Sequence, residues 1–153
     1  MTGYFLDSSA LSKHYHPEVG SPEVDRIFSE PDRLIVISRL AVVEIQSVFA
    51  GKLRSGAITD DDVGILRARF MRDIGCRTIE IVGMSDAHYE AAEKLIIQFG
   101  QAHRLRTLDA LQLAVALDLE GQEVLGHFVA ADKVLCEVAD SIGLHVLNPE
   151  HPV

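Results

Sequence analysis

With 153 residues, 48% of them hydrophobic and 24% charged, the chain has the size and make-up of one folded domain with a proper core. Its formal net charge of −9 excludes a protein that grips nucleic acid through an overall basic surface; a nucleic-acid partner would have to be met by cations gathered on its acids. The opening MTGYFLDSSA has no basic flank before an apolar stretch and no run approaches a transmembrane length, so a cytoplasmic protein with no membrane attachment is expected.

In chain order, residues 3–6 form an apolar strand that runs into Asp7, and Ser8-Ser9 opens a short helix over 10–15 that Pro17 ends. Pro22 suits the first turn of a helix reaching residue 29. Residues 34–37 are a continuous apolar run of the kind buried on both faces of a parallel sheet. Ser38 caps a helix to residue 53 that contains Glu44, and Thr59-Asp60-Asp61-Asp62 introduces an amphipathic helix over 63–74. Three aspartates there suit the positive end of a helix. Residues 78–82 alternate as a strand, 85–99 read as a helix, and 100–106 as a basic-leaning loop. Residues 105–119 are apolar nearly all round, predicting a buried helix with Thr107 as its cap and Asp109 in its first turn. A strand over 127–130 leads through Asp132 to a helix ending near 142, and 144–147 form the last strand. Strands alternating with helices predict βαβ units with right-handed crossovers. The expected architecture is a three-layer α/β/α sandwich with a mainly parallel central sheet, one domain over 1–148 and a tail over 149–153.

Most of the 23 acids stand in polar surroundings, but Asp7, Glu44, Asp109 and Asp132 stand in apolar ones. Singly, each has a structural explanation: Asp7 in a turn, Asp132 and Asp109 at helix starts, Glu44 paired with an arginine such as Arg39. In an open parallel sheet, ligands bind beyond the carboxyl ends of the strands, near helix N-termini. That edge receives Asp7, Asp132 and Asp109 by topology, with Glu44 on the helix following the second strand. Carboxylates sharing a pocket push protons onto each other. A divalent cation removes the conflict, and all-oxygen ligation suits Mg²⁺ or Mn²⁺. Lys13, Arg39, Arg104, Arg106 and Lys133 lie near the ends of these segments; taken singly each reads as an ordinary surface charge, and together they could steer a phosphate backbone if the partner is a nucleic acid. Arg67, Arg69 and Arg72 read as solvated or interfacial, His14-x-His16 as surface, and Cys76 and Cys136, which fit no metal or redox spacing, as small packing residues. Val43, Phe49 and Phe70 are open to either core or interface.

Four segments together carry a resemblance: Phe5-Leu6-Asp7-Ser8-Ser9-Ala10-Leu11, the mid-helix Glu44, Leu108-Asp109-Ala110-Leu111-Gln112-Leu113-Ala114, and Phe128-Val129-Ala130-Ala131-Asp132-Lys133-Val134-Leu135. In order and spacing they resemble the PIN-domain ribonucleases of the VapC toxin type, over essentially the whole chain. The resemblance implies metal-dependent hydrolysis of RNA phosphodiesters, leaving a 5′-phosphate and a 3′-hydroxyl. It implies Asp7, Glu44, Asp109 and Asp132 as catalytic residues holding one or two Mg²⁺ or Mn²⁺ ions, with Ser9 supporting them. It also implies a cognate antitoxin and a homodimer. Two positions depart from the pattern. Ala130 stands where a hydroxyl usually helps hold a carboxylate, which would shift that work onto Ser9. Gln112 stands where many relatives carry His, a change expected to affect packing more than chemistry.

The alternative is a catalytically weak PIN-like module that binds RNA or protein, to which Ala130 lends weight. A phosphatase with an aspartyl nucleophile is disfavoured because Ser9 occupies the place of its second aspartate. A receiver domain is disfavoured because Ile79-Glu80-Ile81-Val82 ends in no phosphate-accepting aspartate.

Overall fold

The protein, described here by a computed structural model covering residues 1–153, is built on five parallel strands. In chain order the elements are β1 (Thr2–Leu6), α1 (Ser8–Tyr15), α2 (Ser21–Ser29), β2 (Arg33–Ser38), α3 (Arg39–Arg54) and α4 (Asp60–Gly75). They continue with β3 (Glu80–Val82), α5 (Asp86–His103), α6 (Thr107–Gly121), β4 (His127–Val129), α7 (Lys133–Ser141) and β5 (Val146–Leu147). The sheet order is β3-β2-β1-β4-β5, so the first strand is the central one. Phe5 pairs with Val36 on one side and with Phe128 on the other.

The alternation of side chains along β1 divides the core in two. Tyr4 and Leu6 point to a cluster with Ile35, Ile37 and residues of α1 to α4, including Tyr15, Ile45, Phe49 and Phe70. Phe5 points the other way, with Val36, Phe128 and the apolar residues of α5, α6 and α7. This is the expected three-layer sandwich. Phe49 and Phe70 are fully buried and belong to its core, whereas Val43 is 66% exposed.

Connections from β1 run outward to β2 and then β3 with helices on one face. The chain then returns across the sheet to β4 and β5 with helices on the other. The order therefore reverses beside β1, and a crevice opens there at the carboxyl ends of the strands. Close packing at the opposite end depends on Gly3, where a Cβ would fall 2.1 Å from the Val124 carbonyl oxygen.

Several boundaries differ from expectation. Gly100 does not end α5; the helix runs to His103 and stops at Arg104, which adopts a left-handed conformation (φ 53°). Arg106, not Thr107, is the N-cap of α6 and offers no side-chain cap. Cys76 is exposed at the end of α4 rather than packed. His14 is half-buried, stacked on Phe28 at 3.7 Å and bonded to Asp25. No helix is long and apolar enough to cross a membrane.

Candidate functional site

Each strand-to-helix junction at the crevice carries a polar cap. Asp7 leaves β1 and caps α1, its Oδ1 accepting from the Ala10 amide at 2.9 Å. Ser38 leaves β2 and caps α3, accepting from the Ala41 amide at 3.2 Å. Asp132 leaves β4 and caps α7, accepting from the Leu135 amide at 2.9 Å. Asp109 lies in the first turn of α6, beside the Arg106 guanidinium at 3.6 Å. The capping explanation thus holds for Asp132, and Asp7, expected in a turn, caps a helix instead; in both cases the cap accounts for only part of what the carboxylate faces.

Asp7 is 5% exposed and has no cationic partner. Burial pushes its carboxyl up to about 7, against the Ala10 amide and Ser9 hydroxyl, while Asp109 and Glu44 add repulsion. Burial also raises Glu44, opposed by the hydrogen bond from Gln112 and reinforced by Asp109. Burial raises Asp109 too, opposed by Arg106 and reinforced by Asp132. The four carboxylates therefore share one electrostatic neighbourhood.

Ser9 is the hinge of this group. Its hydroxyl donates to the Asp7 carboxylate, 2.7 Å from Oδ1 and 2.9 Å from Oδ2, and accepts from the Ala131 amide at 3.2 Å. It ties the β1 acid to the loop after β4. Ala130 is itself fully buried, and its carbonyl accepts from the Cys136 thiol at 3.1 Å. Burial, with Asp7 and Asp132 nearby, pushes that thiol up to about 12.

Glu44 is not paired with Arg39. Its Oε1 accepts from the side-chain amide of Gln112 at 2.7 Å, and Gln112 in turn accepts from the Ser38 hydroxyl at 2.7 Å. Gln112 is therefore hydrogen-bonded at both ends of its side-chain amide as well as packed in the core. A lone amide inside an apolar helix was the signal available for it.

The five basic candidates separate. Lys13 is 5% exposed and spent on Glu18 (3.1 Å) and Glu150 (2.9 Å), so it does not face a phosphate backbone. Arg39, Arg104, Arg106 and Lys133 are exposed at helix ends. A cavity of about 380 Å³ opens beside Glu44, between Ser8, Val43, Ser47 and Leu108. The larger cavity, about 580 Å³, lies elsewhere, between α1, α2 and α4.

The donor set consists of hard carboxylate oxygens that repel one another and lack a buried cation, which suits a hard divalent ion. Asp7, Glu44 and Asp132 each accept a hydrogen bond and Asp109 is paired with Arg106, and no three acidic, histidine or cysteine side chains converge as a ready-made metal cluster. The chemistry of the residues fits such an ion, although the side chains are not gathered around one point.

A family model described as PIN domain matches residues 4–141. No curated protein sequence matches the chain significantly. Among solved structures it resembles FitAcB from Neisseria gonorrhoeae, with TM-score 0.68 and 19% identity over 97% of this chain and 99% of that one. It also resembles VapC20 of Mycobacterium tuberculosis, described as a sarcin-ricin loop cleaving toxin, with TM-score 0.66 and 13% identity over 98% and 99%. A third is VapBC2 from Rickettsia felis bound to a promoter DNA fragment, with TM-score 0.63 and 16% identity over 96% and 98%.

Proposed function

The chain belongs to the PIN-domain family, and from that premise we propose that it is a metal-dependent endoribonuclease, the toxin of a toxin–antitoxin pair. The observation that carries the reading is the carboxylate group itself: Asp7 is buried, without a cation, and repelled by Asp109 and Glu44. A stable fold keeps such a group only where something offsets its charge.

In this reading Asp7, Glu44, Asp109 and Asp132 hold one or two Mg²⁺ or Mn²⁺ ions. Bound there, such an ion acidifies water and offsets the charge that builds on a phosphate under attack. Ser9 keeps Asp7 oriented toward the loop that carries Asp132. Arg39, Arg104, Arg106 and Lys133 grip the phosphates flanking the scissile bond. No side-chain nucleophile is required, and hydrolysis leaves a 5′-phosphate and a 3′-hydroxyl. The toxin–antitoxin complexes among the structural neighbours support an antitoxin as partner. A homodimer belongs to the same reading, with exposed Val43 available to an interface.

Purified protein free of antitoxin, incubated with total cellular RNA and Mg²⁺ or Mn²⁺, is expected to give discrete fragments. Chelator and Asp7→Asn are each expected to abolish them. A folded protein that cuts nothing with either metal would refute the nuclease and leave the binding module, with Ala130 as the first position to restore to Thr.

A further inference from the structure

Within residues 110–116 of α6 every side chain is buried, and Gln112 is the sole polar one. A buried amide costs free energy unless both its ends are bonded. Here both are, and the two partners come from different elements: Ser38 at the end of β2 and Glu44 on the second turn of α3.

The direction of the amide is chemically determined. The Ser38 oxygen accepts from the Ala41 amide, and its single proton goes to Gln112 Oε1. That leaves Gln112 Nε2 facing Glu44. Turned the other way, the amide would set its oxygen 2.7 Å from an ionised carboxylate oxygen, with no proton between them. Gln112 also follows Asp109 by three residues on the same helix, so the two project from neighbouring positions on one face.

We infer that Gln112 is a positioning residue: oriented by Ser38, it ties Glu44 of α3 to the helix that presents Asp109 and so fixes the separation of these two acids. The inference rests on the metal-dependent reading above and gives it a part outside the acids themselves. Without the tether, Glu44 stands on a half-exposed face beside an open cavity, free to turn toward solvent.

The test measures Mn²⁺ uptake by metal-free protein, using the electron paramagnetic resonance signal of the unbound ion, together with kcat and KM for RNA. Gln112→Met keeps the volume and removes both hydrogen bonds. It is expected to weaken Mn²⁺ binding by about 10-fold to 100-fold, as losses of residues that orient metal ligands do. It should lower kcat while leaving KM for RNA and the melting temperature close to wild type. Ser38→Ala, which removes the bond anchoring Gln112 Oε1 while leaving the bond to Glu44, is expected to lie between wild type and Gln112→Met. In a Glu44→Gln background, Gln112→Met should add little further loss, because it acts through Glu44.

Wild-type uptake and kcat in Gln112→Met, with a lowered melting temperature, would show that the chain of bonds serves packing alone and overturn the inference. Should Gln112→Met fail to fold, unchanged Mn²⁺ uptake in folded Ser38→Ala would overturn it equally. Wild-type protein that takes up no Mn²⁺ would instead remove the metal-dependent reading, and the inference with it.

Discussion

Asp7 gathers most of the site's chemistry into one side chain. Its carboxyl titrates near 7 in the folded protein, above the ordinary 3.8, chiefly because it is buried. The folded state therefore holds a proton that the unfolded chain releases, and stability falls as pH rises from about 4 toward 7. Asp7→Asn, which keeps an acceptor for the Ala10 amide, removes that dependence. In chelator the variant is expected to melt higher than wild type at pH 8, by the equivalent of roughly 2–4 kcal/mol, with no gain near pH 3.5. Mg²⁺ should raise the wild-type melting temperature and leave the variant unmoved. Parallel melting curves for the two proteins across that range would mean Asp7 is solvated and its charge unopposed. Ser9→Ala frees Asp7 from the β4 loop; kcat is expected to drop by about 10-fold to 100-fold, as when other orienting partners are removed, with RNA binding retained.

Between elements, the joint that decides the site is β1 against β4. Gly3 lets the chain after α6 cross close to β1, and Gly3→Ala is expected to destabilise the fold by about 1–3 kcal/mol, read from denaturant midpoints at constant m-value. The strands, the buried α6 and the positions of Asp7, Asp109 and Asp132 were legible because each depends on local signals: an apolar run, a turn residue, an acid at a helix start. The Ser38–Gln112–Glu44 connection was not legible, since its members are 74 and 68 residues apart and Gln112 alone looks like a tolerated amide among leucines. Lys13 misled for a related reason. Its place beside the first motif suggested phosphate, but its nearest charge in space, Glu150, lies 137 residues away. The end of α5 misled because Gly100 marks a common stop, whereas the chain continues three residues further before Arg104 turns it.

At the scale of the whole molecule, the proposed nuclease activity would require a chain of net charge −9 to approach a polyanion. The work falls to a few cations around the crevice, three of them, Arg39, Arg106 and Lys133, at helix starts where a positive charge is disfavoured. Alanine at any one is expected to raise KM for RNA with little change in kcat. Each should also reduce the slope of log affinity against log salt by about 0.7 for every phosphate it no longer neutralises. An unchanged slope would make that residue a bystander. The strand order carries a further consequence, one in time. β1 is made first and needs β4, whose residues 127–129 arrive more than 120 positions later. A nascent chain halted after α6 already contains Asp7, Glu44 and Asp109, yet it lacks β4, Asp132 and the Ala131 amide that Ser9 holds. Pairings so distant along the chain form late. The complete group of four acids, with the Ser9–Ala131 bond that ties Asp7 to the loop before Asp132, can therefore form only once nearly the whole polypeptide has been made.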